Sequence, residues 1–182
     1  ALDTVLLHEV VEELQPNPMI APTLVPPPPT TGSQPLVLVV EDNVDMNRFI
    51  ADTLRAHYRV ACAFNGQQGL EQALAIVPDL IISDVMMPVM NGDQMVSELR
   101  QWPKLADVPI VMLTSKTDDD LCVKLLKMGI QHYLNKPFTV DGLLARVEKL
   151  LTERQRIREQ LREIEARFQA TFEQAAVGIA IV

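Results

Sequence analysis

The acidic residues that could do chemistry in this sequence follow short apolar runs. Asp84 comes directly after residues 80–83, and Glu41 and Asp42 come directly after Leu36–Val40. Short runs rich in β-branched residues are typical of strands buried in a parallel sheet. The carboxyl ends of such strands meet at one sheet edge, where open α/β folds bind their ligands. Because a lone strand-end aspartate is more often a helix cap or a turn residue, the other strand ends decide its role.

Those other strand ends add a hydroxyl and an amine. Thr114 follows the apolar run at residues 108–113, and Lys136 follows a shorter run at residues 131–134. Three carboxylates close together raise one another's pKa unless a cation lies among them. Mg²⁺ prefers oxygen ligands and often bridges to a phosphate, whose other oxygens an amine and a hydroxyl can bind. The set therefore predicts a magnesium site that can receive a phosphoryl group.

Two other kinds of site fit these residues less well. Nucleotide and flavin sites place glycines and a helix N-terminus after the first strand, whereas Glu41 and Asp42 there would repel a phosphate that lacks a metal. A phosphatase with an aspartyl nucleophile would need a general acid two residues after Asp84. That residue is Met86, which cannot transfer a proton. Asp84 can therefore accept a phosphoryl group, but the sequence offers no obvious base for turnover.

The elements that must position these side chains alternate between strand and helix patterns from Leu36 onward. Five strands alternating with five helices predict an α/β fold, with right-handed crossovers and a doubly wound parallel sheet. The predicted strands are Leu36–Val40, Arg59–Ala63 and residues 80–83, 108–113 and 131–134, and the predicted helices are residues 44–57, 66–77, 92–101, 118–128 and one that Thr139 caps near Val140.

Composition limits the classes of function. The 182 residues are 48% hydrophobic, which is enough for a sizeable core, and the net charge of −8 argues against a nucleic-acid surface. The strongly apolar runs are far too short to span a membrane. Cys62 and Cys122 are isolated, without metal-ligand spacing, and we expect both to be reduced. We therefore expect a cytoplasmic segment that binds neither nucleic acid nor membrane.

A set of short motifs occurs in order along residues 36 to about 150. They are Glu41-Asp42, the run 84–88 (Asp-Val-Met-Met-Pro), Asn91-Gly92, Thr114-Ser115, Tyr133 and Lys136-Pro137. In carrying this set, residues 36 to about 150 resemble a response-regulator receiver domain. The resemblance implies a five-stranded, flavodoxin-like sheet of order 2-1-3-4-5. It also implies a phosphorelay in which a histidine kinase or a histidine phosphotransfer domain is the partner.

The resemblance also implies a role for each matching residue. Asp84 would be the phospho-accepting aspartate, and Glu41 and Asp42 would hold Mg²⁺ together with Asp84. The backbone carbonyl of Met86 would be the fourth protein ligand. The first acid is Glu41 where aspartate is more frequent, and we still expect the metal to bind. A phosphorylation-independent interaction module is the alternative to this phosphorelay function.

Three further residues complete the expected switch. Thr114 would be the hydroxyl that turns toward the new phosphoryl oxygens, and Tyr133 the aromatic side chain that fills the space it leaves. Lys136 would bind the phosphate, and the Lys136-Pro137 peptide bond would be cis. The receiver would assist its own phosphorylation and dephosphorylation.

The segments on either side of this domain have their own patterns. Residues 1–15 predict a short amphipathic helix, and residues 16–35, with eight of the thirteen prolines, predict an extended linker. Residues 165–182 resemble the first helix and strand of a PAS sensor domain, of which residues 171–182 would be a truncated start. The parent would then be a multidomain histidine kinase or a related signalling protein.

Beyond residue 150 the last helix continues with a heptad-like pattern. We expect residues 151–170 to form a coiled-coil signalling helix that pairs two copies in parallel, with Arg154 as the one charged residue in the seam. The alternative is a long helix that lies on its own domain. The expected seam comprises Leu143, Val147, Leu150, Ile157, Leu161, Ile164 and Phe168.

Overall fold

The computed structural model describes residues 34–115, 130 and 132–179, with the side chains of residues 173–179 excepted. The predicted amphipathic helix, the linker up to residue 33 and the predicted helix at residues 118–128 lie outside the described residues. The described elements are β1 (Leu36–Val40), α1 (Val44–Arg55), β2 (Arg59–Ala63), α2 (Gly66–Ile76), β3 (Leu80–Asp84), α3 (Gly92–Leu99), β4 (Ile110–Ser115), β5 (His132–Lys136) and α4 (Val140–Ile179).

The five strands form one sheet in the order β2-β1-β3-β4-β5, and every neighbouring pair is parallel. This confirms the predicted fold class and strand order. The register pairs Val40 with Ser83 and Ser115 with Lys136, so the strands end at the same edge. The residues that follow β1 and end β3, β4 and β5 are therefore neighbours in space.

The core lies in two layers, one on each face of the sheet. Alternate residues of a strand point to opposite faces, and in β1 Leu38 packs on one side while Val37 and Val39 pack on the other. All five residues of β1 are buried. Such burial on both faces is expected for a parallel strand whose crossover helices cover the sheet, and it explains the uninterrupted apolar run.

The bounds of three strands differ from the prediction. β3 ends at Asp84 rather than at residue 83, and β4 ends at Ser115 rather than at residue 113. β4 begins at Ile110 rather than at residue 108, because Pro109 has no N–H for the ladder and contributes only its carbonyl, which accepts from Ile81 N. β5 extends to Lys136 instead of ending at residue 134. Thr114 and Lys136 therefore belong to strands rather than to the loops that follow, which fixes the direction of their side chains.

Helix α4 begins where the sequence predicts, with the Gly142 N–H donating to Thr139 Oγ1 at 3.1 Å. The expected seam is wrong at its first three positions. Leu143, Val147 and Leu150 are buried in the receiver's own core, 0%, 0% and 3% exposed, and cannot pair with a second helix there. Helical spacing of apolar residues is the same whether a helix packs on its own sheet or on a partner.

Arg154 is also misplaced by the seam prediction, because its guanidinium donates to backbone carbonyls of the receiver. The helix continues to Ile179, and the start of a PAS-like domain remains a prediction. Among the residues that the structure describes, no helix is both long and apolar enough to span a bilayer. The remaining seam positions, Ile157, Leu161, Ile164 and Phe168, are 57%, 55%, 63% and 68% exposed.

Candidate functional site

Lys136 lies between two of the predicted acidic residues. Its Nζ is 2.7 Å from Glu41 Oε2 and 3.0 Å from Asp84 Oδ2, although these residues are 95 and 52 positions away in the chain. The carboxylates of Glu41, Asp42 and Asp84 each offer an oxygen, and these oxygens lie within 4.8 Å of one another. The strand ends thus bring three acids and one amine together, as the parallel sheet requires.

The charged groups of Glu41 and Lys136 are largely shielded from solvent. Glu41 is 1% exposed, and burial raises the pKa of its carboxyl, while the hydrogen bond from Lys136 acts in the opposite direction. Burial alone would lower the pKa of Lys136. The hydrogen bonds to Glu41 and Asp84 outweigh that effect and leave the pKa of Lys136 raised. The amine is therefore charged at neutral pH and partly balances the acids.

The donor set suits a hard divalent cation. All three groups are carboxylates, and their spacing allows one oxygen from each to reach a common ion. Asp42 is exposed and Asp84 partly exposed, which leaves an open side for water or a phosphate. Met86 lies two residues beyond Asp84 in the same loop, and its carbonyl as a ligand stays a prediction.

The chain after β3 is folded tightly enough to fix Asp84. Its Oδ1 accepts from the Val85 N–H at 2.7 Å, and the carbonyl of Val85 accepts from the Gly92 N–H at 2.8 Å. A Cβ at Gly92 would lie 2.1 Å from the Asp84 carbonyl oxygen, so only glycine permits this approach. The backbone of this turn therefore fixes the position of the Asp84 carboxylate. Elsewhere in the site, the Lys136-Pro137 peptide bond is cis, as expected.

Asn47 belongs to the site although sequence reasoning did not single it out. Its side chain is buried in α1, and Nδ2 donates to the carbonyls of Glu41 at 3.0 Å and Ala63 at 2.8 Å. The Ala63 carbonyl also accepts from the Glu41 N–H at 3.1 Å. Asn47 therefore ties the ends of β1 and β2 at the point where the acidic pair begins. An asparagine on the buried face of an amphipathic helix was the available signal.

Thr114 is placed beside the site but is bonded away from it. The Thr114 hydroxyl is buried and donates to Asn135 Oδ1 at 2.9 Å, its partner in the pairing of β4 with β5. Tyr133, the predicted switch aromatic, is 40% exposed. Asn135 is a further residue that the sequence did not reveal, because its importance comes from the strand register alone.

The cluster opens into a cavity of about 470 Å³ on the side of α1. Asn43, Asp45, Met46 and Phe49 line it together with Glu41 and Lys136. Phe49 is 45% exposed, so the wall of this cavity is partly apolar. Of the clustered residues, Glu41 and Lys136 line this cavity, whereas Asp42 and Asp84 are not among its lining residues.

Comparisons with known proteins identify the family of this chain. The sequence matches the family described as the response regulator receiver domain over residues 37–148. Hybrid signal transduction histidine kinase D of Dictyostelium discoideum is 51% identical over 120 residues, covering 66% of this chain and 8% of that protein. Sensor histidine kinase TmoS of Ectopseudomonas mendocina is 45% identical over 136 residues, covering 69% of this chain and 14% of that protein. The chain thus spans a small part of these relatives.

Solved structures show the same fold. The chemotaxis response regulator CheY4 of Vibrio cholerae has 33% identity and a TM-score of 0.62, covering 65% of this chain and 99% of that one. The receiver domain of a signal transduction histidine kinase from Syntrophus aciditrophicus has 30% identity and a TM-score of 0.61, covering 65% and 91%. With the family match spanning more than half of its length, this chain belongs to the response-regulator receiver family.

Proposed function

We propose that this receiver takes a phosphoryl group from a phosphohistidine onto Asp84 and passes the resulting change to helix α4. The donor would be a histidine kinase or a histidine phosphotransfer domain. The observation that carries this proposal is the position of the Lys136 amine between Asp84 and the buried Glu41. Because this amine is already in position before the reaction, it can neutralise an incoming phosphoryl oxygen without a prior rearrangement.

In the transfer, a carboxylate oxygen of Asp84 attacks phosphorus and the phosphorus–nitrogen bond of the phosphohistidine breaks. The bonding electrons go to the imidazole nitrogen, which then takes a proton. Transition states of this kind are loose, so positioning and charge neutralisation supply most of the catalysis. Glu41, Asp42, Asp84 and the Met86 carbonyl would hold Mg²⁺, which neutralises phosphoryl oxygens when bound. Lys136 exchanges its contact with Asp84 for one of those oxygens.

The aspartyl phosphate adds roughly two negative charges at neutral pH. The Thr114 hydroxyl then leaves Asn135 and turns toward a phosphoryl oxygen, and Tyr133 moves from its exposed position into the vacated space. The hydrogen bond between Thr114 and Asn135 supports this account, because it identifies what the hydroxyl must give up. A local change of bonding would thereby bias a two-state element at β4 and β5.

The output would be a parallel homodimer formed by the exposed part of α4. Its apolar side chains are more than half exposed and spaced four, three and four residues apart, while charged residues lie between them. A second copy of the same helix is the occupant that such a self-complementary stripe fits. The parent would be a hybrid or sensor histidine kinase, and this segment would lie in the cytoplasm. The stripe comprises Ile157, Leu161, Ile164 and Phe168.

Beryllofluoride, which imitates an acyl phosphate, tests the switch and the output together. With Mg²⁺, it should shift the amide resonances of Thr114 and Tyr133, and the mass in solution should correspond to a dimer. Asp84→Ala should abolish the shift of these two resonances. Asp45→Asn, which changes an exposed acid at the start of α1, should retain it. A dimer that never responds would support the interaction-module alternative, and a monomer or a larger assembly would remove the homodimer.

A further inference from the structure

Asp79 contacts both the first strand and the extended part of helix α4, at the end of the sheet opposite to Asp84. Its Oδ2 accepts from the Leu36 N–H at 3.0 Å, and its own N–H donates to the Leu36 carbonyl at 2.7 Å. Its Oδ1 lies 2.7 Å from Arg158 Nη1 on helix α4. One carboxylate therefore joins the first residue of the sheet to the helix that leaves the domain.

Arg154 makes the second contact between α4 and the same turn. Its Nη1 donates to the carbonyl of Asp79 and, at 3.4 Å, to the carbonyl of Pro78. Burial is the main reason that the pKa of Arg154 falls to about 10, and the nearby charge of Arg158 adds to this. The guanidinium still carries its charge at neutral pH, and its bonds to carbonyls are of the charge-assisted kind.

The contacts of Arg154 and Arg158 lengthen the part of α4 that is attached to the receiver. The apolar contacts of α4 with the core end at Leu151, and the helix surface beyond it is mostly exposed. Arg158 lies seven residues farther on, which is about 10 Å along a helix at 1.5 Å per residue. Ile157, the first exposed residue of the apolar stripe, falls within this tethered stretch. The part of α4 that contacts the receiver therefore extends as far as Arg158.

We propose that Asp79, Arg154 and Arg158 form a joint that fixes the direction in which α4 leaves the receiver. Dimerisation through the apolar stripe rests on the proposed function, whereas the joint does not depend on it. Residues 34 and 35 lead directly into Leu36, so the joint also holds the point at which the chain enters the sheet. A displacement of Asp79 would move both connections at once.

An exposed ion pair alone would not fix a helix, because such pairs contribute little after side-chain ordering is counted. The Arg158 side chain is 49% exposed, and its pair with Asp79 is of this kind. Two features distinguish the joint. Arg154 is part-buried and bonds to backbone carbonyls that cannot move away, and the Asp79 carboxylate is already oriented by the Leu36 N–H. Arg154 is therefore the main anchor and Arg158 the supporting one.

Two substitutions test the joint in the full chain. Arg154→Met keeps much of the side-chain volume and removes the donors to the carbonyls. Asp79→Asn keeps an acceptor for the Leu36 N–H and removes the charge that faces Arg158. The matched control is Arg156→Met, which changes an exposed arginine of the same helical turn. Spin labels on cysteines at Gln101 and Glu163, in a chain without its native cysteines and diluted with unlabelled protein, report the distance between receiver and helix.

We expect one narrow distance distribution in the parent chain and in Arg156→Met. Arg154→Met and Asp79→Asn should broaden it, and amide exchange in residues 152–160 should accelerate by roughly tenfold or more with the loss of a charged hydrogen bond. A narrow distribution in both joint variants would overturn the proposal, as would broadening in the control or in the parent chain.

Beryllofluoride binding at Asp84 is followed in the same proteins. It should be unchanged in the joint variants, because Asp79 immediately precedes β3 whereas Asp84 is the last residue of that strand. A failure of the parent chain to bind beryllofluoride would contradict the proposed function. The distance measurement would still decide the joint.

Discussion

Lys136 and Asp84, which are 52 residues apart, are joined by a hydrogen bond of 3.0 Å at the carboxyl edge of the sheet. The same amine contacts Glu41 at 2.7 Å, so one cation links the ends of three strands. β5 is one of the two edge strands of the sheet, and among the described residues it pairs with β4 alone. The contact therefore depends on register: a one-residue slip of β5 would turn Lys136 to the other face.

Replacing Lys136 with Met should slow phosphorylation of Asp84 by acetyl phosphate on the order of 10²-fold, because a preorganised charge for the phosphoryl oxygens is lost. Lys136→Arg is the matched variant, since it keeps the charge but changes its geometry, and it should recover part of the rate. Rates are compared at saturating Mg²⁺. A Met variant that reacts as fast as the parent would show that the amine has no part in transfer.

Asn47→Leu should lower the free energy of unfolding by about 1–3 kcal/mol, because the buried Glu41 carbonyl loses its donor. It should also weaken Mg²⁺ binding measured by calorimetry, since the acidic pair is no longer held in place. Asn65→Ala is the control. It removes a helix cap of comparable worth, about 1 kcal/mol, and should leave Mg²⁺ affinity unchanged. Equal losses of Mg²⁺ affinity in both variants would contradict a specific role for Asn47.

The sheet and its site were predictable for a common reason. A strand buried on both faces must be apolar along its whole length, so β1 and β3 appear as runs that stop at a charged residue. Parallel connections then bring Glu41 and Asp84 to one edge without any further information. Lys136 followed from the same rule, although its strand is only partly buried.

Other features were hidden because they depend on distant partners. The four-and-three spacing of Leu143, Val147 and Leu150 suits a helix pair and a helix on a sheet equally well. Arg154 bonds to a carbonyl 75 residues away, which no local pattern marks. Asn47 likewise acts on backbone atoms that every residue possesses. Side-chain identity reveals charge and hydrophobicity, but not which backbone carbonyl will need a donor.

Glu41→Gln should flatten the pH dependence of stability when divalent cations are chelated. The pKa of Glu41 in the folded protein lies above its ordinary value of 4.5, mainly because of burial. The folded state therefore binds this proton more tightly than the unfolded state does. The contribution of Glu41 to stability is fully present below pH 4.5 and is lost as pH rises through the raised pKa.

Urea unfolding at a series of pH values, in the presence of a chelator, measures this effect. The parent chain should lose more stability than Glu41→Gln as the pH rises across that window. The raised pKa of Lys136 does not interfere, because its stabilising effect is lost only above its ordinary value of 10.5. Parallel curves for the two proteins would contradict a raised pKa for Glu41.

Asn135→Ala should tighten beryllofluoride binding about two- to tenfold. The variant removes the hydrogen bond that holds the Thr114 hydroxyl before activation, a bond worth about 0.5–1.5 kcal/mol. Thr114→Val should weaken binding instead, because the hydroxyl is needed at the phosphoryl group. In the double variant, the gain from Asn135→Ala should disappear, as a double-mutant cycle requires of coupled residues. An undiminished gain in that background would show that Asn135 acts by another route.

The identity of the phosphorylated residue is the most direct test of the account. The chain is treated with acetyl phosphate and Mg²⁺, any aspartyl phosphate is reduced with borohydride to homoserine, and the peptides are sequenced by mass spectrometry. Homoserine should appear at position 84 and nowhere else, and it should be absent when Mg²⁺ is chelated. Homoserine at Asp42 or at another acid, with position 84 unmodified, would contradict the assignment of Asp84 as the phosphoacceptor.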